Sequence, residues 1–214
     1  MRRHFYLAIE GAIGVGKTTL AQLVRKDFQA ELLLEVVEEN PFLSDFYQDK
    51  EKYAFQTQIF FLLSRYSQLK KNAEAILQHS NLISDYMLAK DRIFAPLTLN
   101  SDELDMHHRL YQILADEVPQ PDLVVYLQAD TDVLMERIAS RDRSFERNIS
   151  RQYIEDLRAA YEDFFTHYTF TPLLPIDTNN LNIVAIPEHL TQVIQRIRSC
   201  LGIGTHQQPL LPLE

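Results

Sequence analysis

The sequence predicts an α/β protein, a parallel sheet of about five strands with helices on both faces. Three observations predict it. Gly11-Ala12-Ile13-Gly14-Val15-Gly16-Lys17-Thr18-Thr19 has the spacing of a phosphate-binding P-loop: glycine, four residues, then Gly-Lys-Thr. Segments of strand and helix pattern alternate along the chain. The stretches 4–10 and 122–128 are nearly continuous apolar runs, which is how strands covered on both faces read.

The first strand, His4 to Glu10, runs into the P-loop, and Leu20, Leu23, Val24 and Phe28 recur behind it at helical spacing. Glu31 to Val37 reads as a second strand carrying Glu35 near its end. Phe42, Phe46 and Tyr47 follow Pro41 in a short helix or loop. Between residues 51 and 78 there is no proline or glycine, and Phe55, Ile59, Leu62, Tyr66, Leu69, Ala73 and Ile76 step by four and three as one amphipathic helix. Leu82 to Asp85 is a short third strand, again closing on an acid. A second long helix runs from Ser101, read as its cap, to Glu117. Asp122 to Gln128 is the fourth strand, and Thr131 caps the helix after it. A charged segment, Arg141 to Arg147, precedes helix from 150 to 168; Leu173 to Asp177 is the last strand and Pro187 to Cys200 the last helix. The expected organisation is a single domain over 1–201, with 202–214 as a loose tail.

With 214 residues the chain suffices for one α/β domain. Its net charge of −9 argues against an electrostatic grip on a nucleic-acid polymer. Cys200, the single cysteine, excludes an internal disulfide and is expected as a small apolar residue in a protein of a reducing compartment, the cytoplasm. No apolar run approaches a membrane span, and no secretory h-region opens the chain. The seven histidines show no metal-ligand spacing, and His107-His108 reads as an exposed pair.

The chemistry follows from where ligands sit in parallel sheets, beyond the carboxyl ends of the strands. The glycines let successive backbone N–H groups point at a phosphate, and the helix dipole adds positive charge there. Lys17 is expected on the β- and γ-phosphates of ATP, and the Thr18 hydroxyl on Mg2+. Glu35 is placed to take a proton from a hydroxyl nucleophile, and Asp85 to hold the metal directly or through water. A solvated charge at a strand end, or a capped turn, would explain either acid equally. Arg137, Arg141 and Arg143 suit an arginine-bearing lid that closes on the transferring phosphate; pairing with Asp142 and Glu146 is the alternative.

These residues resemble the deoxynucleoside kinase family, in its bacterial deoxyadenosine/deoxyguanosine kinase branch. The similarity is carried by Gly11 to Thr19, Glu35-Val36-Val37, Asn40-Pro41-Phe42-Leu43, Tyr53-Ala54-Phe55-Gln56-Thr57, Ser84-Asp85-Tyr86, Ile93-Phe94-Ala95 and Arg141-x-Arg143-x-x-Glu146. It implies a three-layer P-loop kinase fold and ATP- and magnesium-dependent phosphorylation of a deoxynucleoside 5′-hydroxyl, purines favoured. Glu35 would be the base, assisted by Lys17, Arg141 and Arg143. Gln56 would pair with the nucleobase in a pocket lined by Phe55. Tyr47 and Glu146 would hold the sugar 3′-hydroxyl, and Arg137 would stack near the donor base. A homodimer joined through long helices is implied as well, although the stripe from Phe55 to Ile76 would serve equally inside one chain. Many relatives carry acid-Arg-Ser after the third strand, whereas this chain has Asp85-Tyr86-Met87. A nucleoside-monophosphate kinase or a non-catalytic nucleotide-binding member of the fold are the rival readings.

Overall fold

The computed structural model describes residues 4–203. Strand β1 (Tyr6–Glu10) is buried at every position, so both of its faces are covered. The P-loop follows it and delivers helix α1 (Lys17–Val24), which packs Leu20, Ala21 and Val24 inward. Strand β2 (Ala30–Leu33) is shorter than predicted: the chain leaves the sheet after Leu33 and forms a 3-10 turn at Val37–Glu39. Short α2 (Leu43–Gln48) buries Leu43 and Phe46, as the aromatic cluster suggested. Helix α3 (Lys50–Gln68) continues through a π-helical stretch, Leu69–Ala73, into α4 (Glu74–Leu77). Strand β3 (Asn81–Ser84) leads to the single turn α5 (Asp91–Phe94) and then to α6 (Ser101–Ala115). Beyond lie β4 (Leu123–Gln128), α7 (Thr131–Arg141), α8 (Arg151–Thr166), β5 (Leu173–Asp177) and α9 (Pro187–Cys200).

All five strands are parallel, in the order β2-β3-β1-β4-β5. β1 is therefore flanked by β3 on one side and β4 on the other, and the direction of winding reverses at it. A crevice opens at the carboxyl ends of the strands at such a switch point. The P-loop emerges into that crevice because it is the segment directly after β1.

Several local expectations are corrected. Asn100, not Ser101, caps α6, in a reciprocal box with Glu103; its amide oxygen accepts from the Glu103 N–H. Asp130 occupies the cap position before α7, and Thr131 is already helical. Ser150 caps α8 through the Tyr153 N–H. His107 is buried, 3.9 Å from Asp91, while only His108 faces solvent. Cys200 lies on the last helix but is exposed. Apart from Gly202 and Ile203, the expected loose tail lies outside the described residues.

Candidate active site

Two of the three P-loop glycines, Gly11 and Gly14, are required by the space around them. At Gly11 (φ +147°) a Cβ would stand 2.4 Å from the Leu127 carbonyl oxygen of β4. At Gly14 (φ +86°) it would strike the Leu134 carbonyl and the Ile138 side chain of α7. The loop is thus pressed against β4 and α7 on one side and leaves its N–H groups for the other. The Lys17 ammonium lies on the loop's own carbonyls, 2.7 Å from Gly11 O and 3.0 Å from Ala12 O. Burial, aided by the nearby charge of Lys90, brings its pKa down to about 8. The Thr18 hydroxyl donates to Asp85 Oδ2, and Asp85 Oδ1 accepts from the Glu35 backbone N–H at 2.8 Å. Asp85 thereby ties the ends of β2 and β3 to the start of α1.

Two cavities flank the loop. The first, about 300 Å³, is lined by Lys17, Thr18, Glu35, Tyr47, Asp85 and Glu146 among others. Glu35 is buried in its lining with both oxygens bonded: Arg65 Nε and Nη2 are 2.7 and 2.6 Å from Oε1, and Lys90 Nζ is 2.5 Å from Oε2. Burial opposes its ionisation, yet Arg65 and Lys90 outweigh it and hold the carboxyl at about 2. Arg65 also reaches Asp91 at 2.8 Å, so one guanidinium joins two buried carboxylates. Its pKa is raised: desolvation works against the charge, but Asp91 and Glu35 prevail.

Tyr47, also in the lining, packs edge-on to Phe46 and Tyr153. Its hydroxyl pKa is pushed well above the usual value by burial and then by Tyr153. Glu146, on a 3-10 turn at Ser144–Glu146, takes a bidentate pair from Arg141, with Arg141 Nε 3.1 Å from Oε2 and Nη2 2.7 Å from Oε1. Arg143 is held loosely, 3.5 Å from Glu38 and 3.8 Å from Glu146.

The second cavity, about 720 Å³, lies across the loop, between α7 and the segment after β5. Arg137 stands in its wall, bonded to Val15 O (3.3 Å), Thr178 Oγ1 (3.0 Å) and Thr178 O (2.8 Å). Gly14, Gly16, Thr19 and Arg141 belong to both linings.

Two predicted residues are not brought here. Gln56 is exposed and Phe55 half-buried, and neither lines the first cavity. The cavity face of α3 instead carries Thr57, Gln58, Phe61 and Arg65. At about 100° per residue, Gln56 and Gln58 point to nearly opposite sides of the helix. Gln58 Nε2 donates to Thr98 Oγ1 at 3.2 Å, and its Oε1 is buried without a partner. An unmatched buried acceptor facing a cavity is what a ligand donor would satisfy. Sequence reading also missed Arg65 and Lys90, though a lone arginine on the otherwise apolar-flanked α3 was a visible signal.

Glu10, at the end of β1, is fully buried behind the loop and accepts from Met87 N (2.8 Å), Tyr161 Oη (3.0 Å) and Gly11 N (3.3 Å). Burial raises its pKa.

A family model described as Deoxynucleoside kinase matches residues 7–202. The chain is 39% identical over 158 residues to a deoxyguanosine kinase of Bacillus subtilis, covering 73% of this chain and 76% of that one. It is 33% identical to a deoxyadenosine kinase of Dictyostelium discoideum, covering 89% and 78%. A solved structure of deoxyadenosine kinase from M. mycoides with bound dATP superposes with a TM-score of 0.78 at 28% identity, covering 91% of this chain and 100% of that one.

Proposed function

The chain belongs to the deoxynucleoside kinase family, and on that premise we propose that it transfers the ATP γ-phosphoryl group to the 5′-hydroxyl of a purine deoxynucleoside. The observation that supports this best is the loop between two cavities, with a buried carboxylate in the lining of the smaller one. ATP takes the larger cavity with its base against Arg137, and its triphosphate follows the loop. The nucleoside takes the smaller one, with its sugar toward Glu35 and Tyr47 and its base toward Gln58.

In the reaction the 5′-oxygen forms a bond to the γ-phosphorus, and the bond from that phosphorus to the β-bridging oxygen breaks. The products are a deoxynucleoside monophosphate and ADP, and Glu35 receives the hydroxyl proton. Lys17, which here rests on carbonyls of its own loop, turns to the β- and γ-phosphates. Arg141 and Arg143 neutralise charge from the lid side. Tyr47 and Glu146 hold the 3′-hydroxyl, which fixes the sugar so that the 5′-oxygen lies in line. Mg2+ fits this arrangement, because Thr18 and Asp85 already bring two hard oxygen donors together. They would hold the ion directly or through water, and it would offset phosphate charge.

Gln58 and Arg65 replace Gln56 and Phe55 as the base-reading pair in this proposal. A purine edge supplies acceptors for the guanidinium and a donor for the free Gln58 oxygen. The apolar side chains exposed on α3 and α6, Leu63, Met106 and Ile113, support a homodimer through those helices. No helix among the described residues is long and apolar enough to cross a membrane. ATP use and one exposed cysteine suit the cytoplasm.

A coupled assay of ATP with the four deoxynucleosides and their monophosphates tests the reading. Turnover of deoxyguanosine or deoxyadenosine is expected. Turnover of monophosphates alone, or of nothing, would overturn it.

A further inference from the structure

We propose that Lys90 is a catalytic residue of the transfer step, its ammonium contacting the 5′-oxygen and the phosphoryl group as the bond between them forms. This rests on the reading of Glu35 as the proton acceptor. Lys90 closes the 3-10 turn Leu88–Lys90 after β3, and its side chain is 7% exposed. Its Nζ stands 2.5 Å from Glu35 Oε2 in the wall of the smaller cavity, which Lys17 also lines.

The division of Glu35 between its partners carries the argument. Arg65 places Nε and Nη2 on Oε1, whereas Oε2, among the described residues, accepts from Lys90 alone and keeps a lone pair for an acceptor hydroxyl. Lys90 is the group already standing there. A hydroxyl that reaches Oε2 comes to lie beside that ammonium, which can turn a free N–H toward it. Of the three donors an ammonium carries, one is matched: among the described residues, Glu35 is the only hydrogen-bond partner of Nζ. The other two are available to oxygens that enter beside Glu35.

The third-strand triplet supplies no competing cation. Tyr86 follows Asp85, is buried, and directs its hydroxyl to Gln68 at 2.7 Å. Lys90, one turn further along the chain, brings a cation to the acceptor side in addition to Arg65. Lys17 approaches the transferring group from the donor side of the loop and Lys90 from the acceptor side. Charge developing on the equatorial oxygens then meets an ammonium on each flank.

The alternative is that Lys90 only neutralises Glu35, since Arg65 is shared with Asp91. A double-mutant cycle separates the two. Lys90→Met, Glu35→Gln and the combined variant are compared with wild type for kcat and for KM of ATP and deoxynucleoside. Thermal melting checks that each is folded. Lys90→Met is expected to lower kcat by about 100-fold or more, with KM for ATP within about threefold, and Lys90→Arg to recover part of the loss. In the Glu35→Gln background, Lys90→Met is expected to cost at least about tenfold more, because its action on the phosphoryl group survives loss of the carboxylate. The combined variant leaves neither member of the pair as an unmatched buried charge, so the test stands even if Lys90→Met alone does not fold. A second effect smaller than that tenfold would overturn the proposal and leave Lys90 as a partner of Glu35. A wild-type chain that phosphorylates no deoxynucleoside would overturn the underlying reading as well.

Discussion

Glu35 is a carboxylate that two cations keep ionised, and this sets what kind of base it would be in the proposed reaction. With a pKa near 2 it takes a hydroxyl proton unwillingly before bond formation. Transfer to it is therefore expected late, once the oxygen has begun to bond to phosphorus, which suits the loose transition state of phosphoryl transfer. Glu35→Gln should lower kcat by about 100-fold or more while leaving KM for ATP nearly unchanged. In the wild type, the pH profile of kcat/KM should show no acid limb from this group between about pH 5 and 8, which steady-state kinetics across that range would check. Gln58 gives a second residue-scale expectation. Gln58→Leu should raise KM for the deoxynucleoside by about tenfold or more, through loss of a buried hydrogen bond, and Gln56→Leu should change it little. Here the sequence was legible in part. Glu35, Asp85 and Lys17 were readable because strand ends and a glycine loop announce them. Gln58 was not, because which of two glutamines faces inward depends on the rotation of a helix.

Helix α3 explains that failure. Its predicted inward stripe ran through Phe55, Ile59, Leu62 and Tyr66, on the assumption that the buried face is the apolar one. The observed buried face is Ala54, Thr57, Gln58, Leu62 and Arg65, because it borders a polar cavity as well as the core. Of the predicted stripe Leu62 is fully buried, while Phe55, Ile59 and Tyr66 are only half-buried, and Leu63 beside them is 45% exposed. Periodicity found the helix and could not choose its face, since both sides carry apolar residues. Arg65 is the residue that fixes the choice. Arg65→Met should destabilise the protein by about 3–5 kcal/mol, since Glu35 and Asp91 are left without their shared partner. Urea unfolding monitored by circular dichroism would measure it. The capped ends were more legible: Ser150 was correctly placed at the start of α8, whereas Asn100 was passed over for its neighbour Ser101.

For the molecule as a whole, the alternation of strands and helices was sufficient to specify a parallel sheet, and the apolar runs at β1 and β4 marked its centre. The two cavities were not legible, because they form between segments distant in sequence, such as α7 and the turn after β5. Stability against pH is a property at this scale. Glu35 is depressed from 4.5 to about 2, so its contribution is present above about pH 4.5 and fades as pH falls toward 2. Glu10 acts in the opposite sense: its pKa is raised, so its ionisation costs stability as pH rises past the ordinary carboxyl range. Thermal melting between pH 2 and 5 should show a steep loss on the acid side in the wild type and a shallower one in Glu35→Gln. Light scattering should return twice the mass of one chain, and Met106→Asp with Ile113→Asp should return a single chain's mass.

Arg141 is in the wall of both cavities and is gripped by Glu146, which itself borders only the smaller. The two sites therefore cannot fill as strangers to one another. Whatever factor a bound deoxynucleoside applies to the dissociation constant of a non-hydrolysable ATP analogue, the analogue must apply to that of the deoxynucleoside, because both paths round the cycle end at the same ternary state. Four calorimetric titrations would yield that factor twice, and Arg141→Lys should bring it toward one. On the proposed function Arg141 would then carry information between the two sites as well as counter-charge, and the response to one ligand would be set partly by the other.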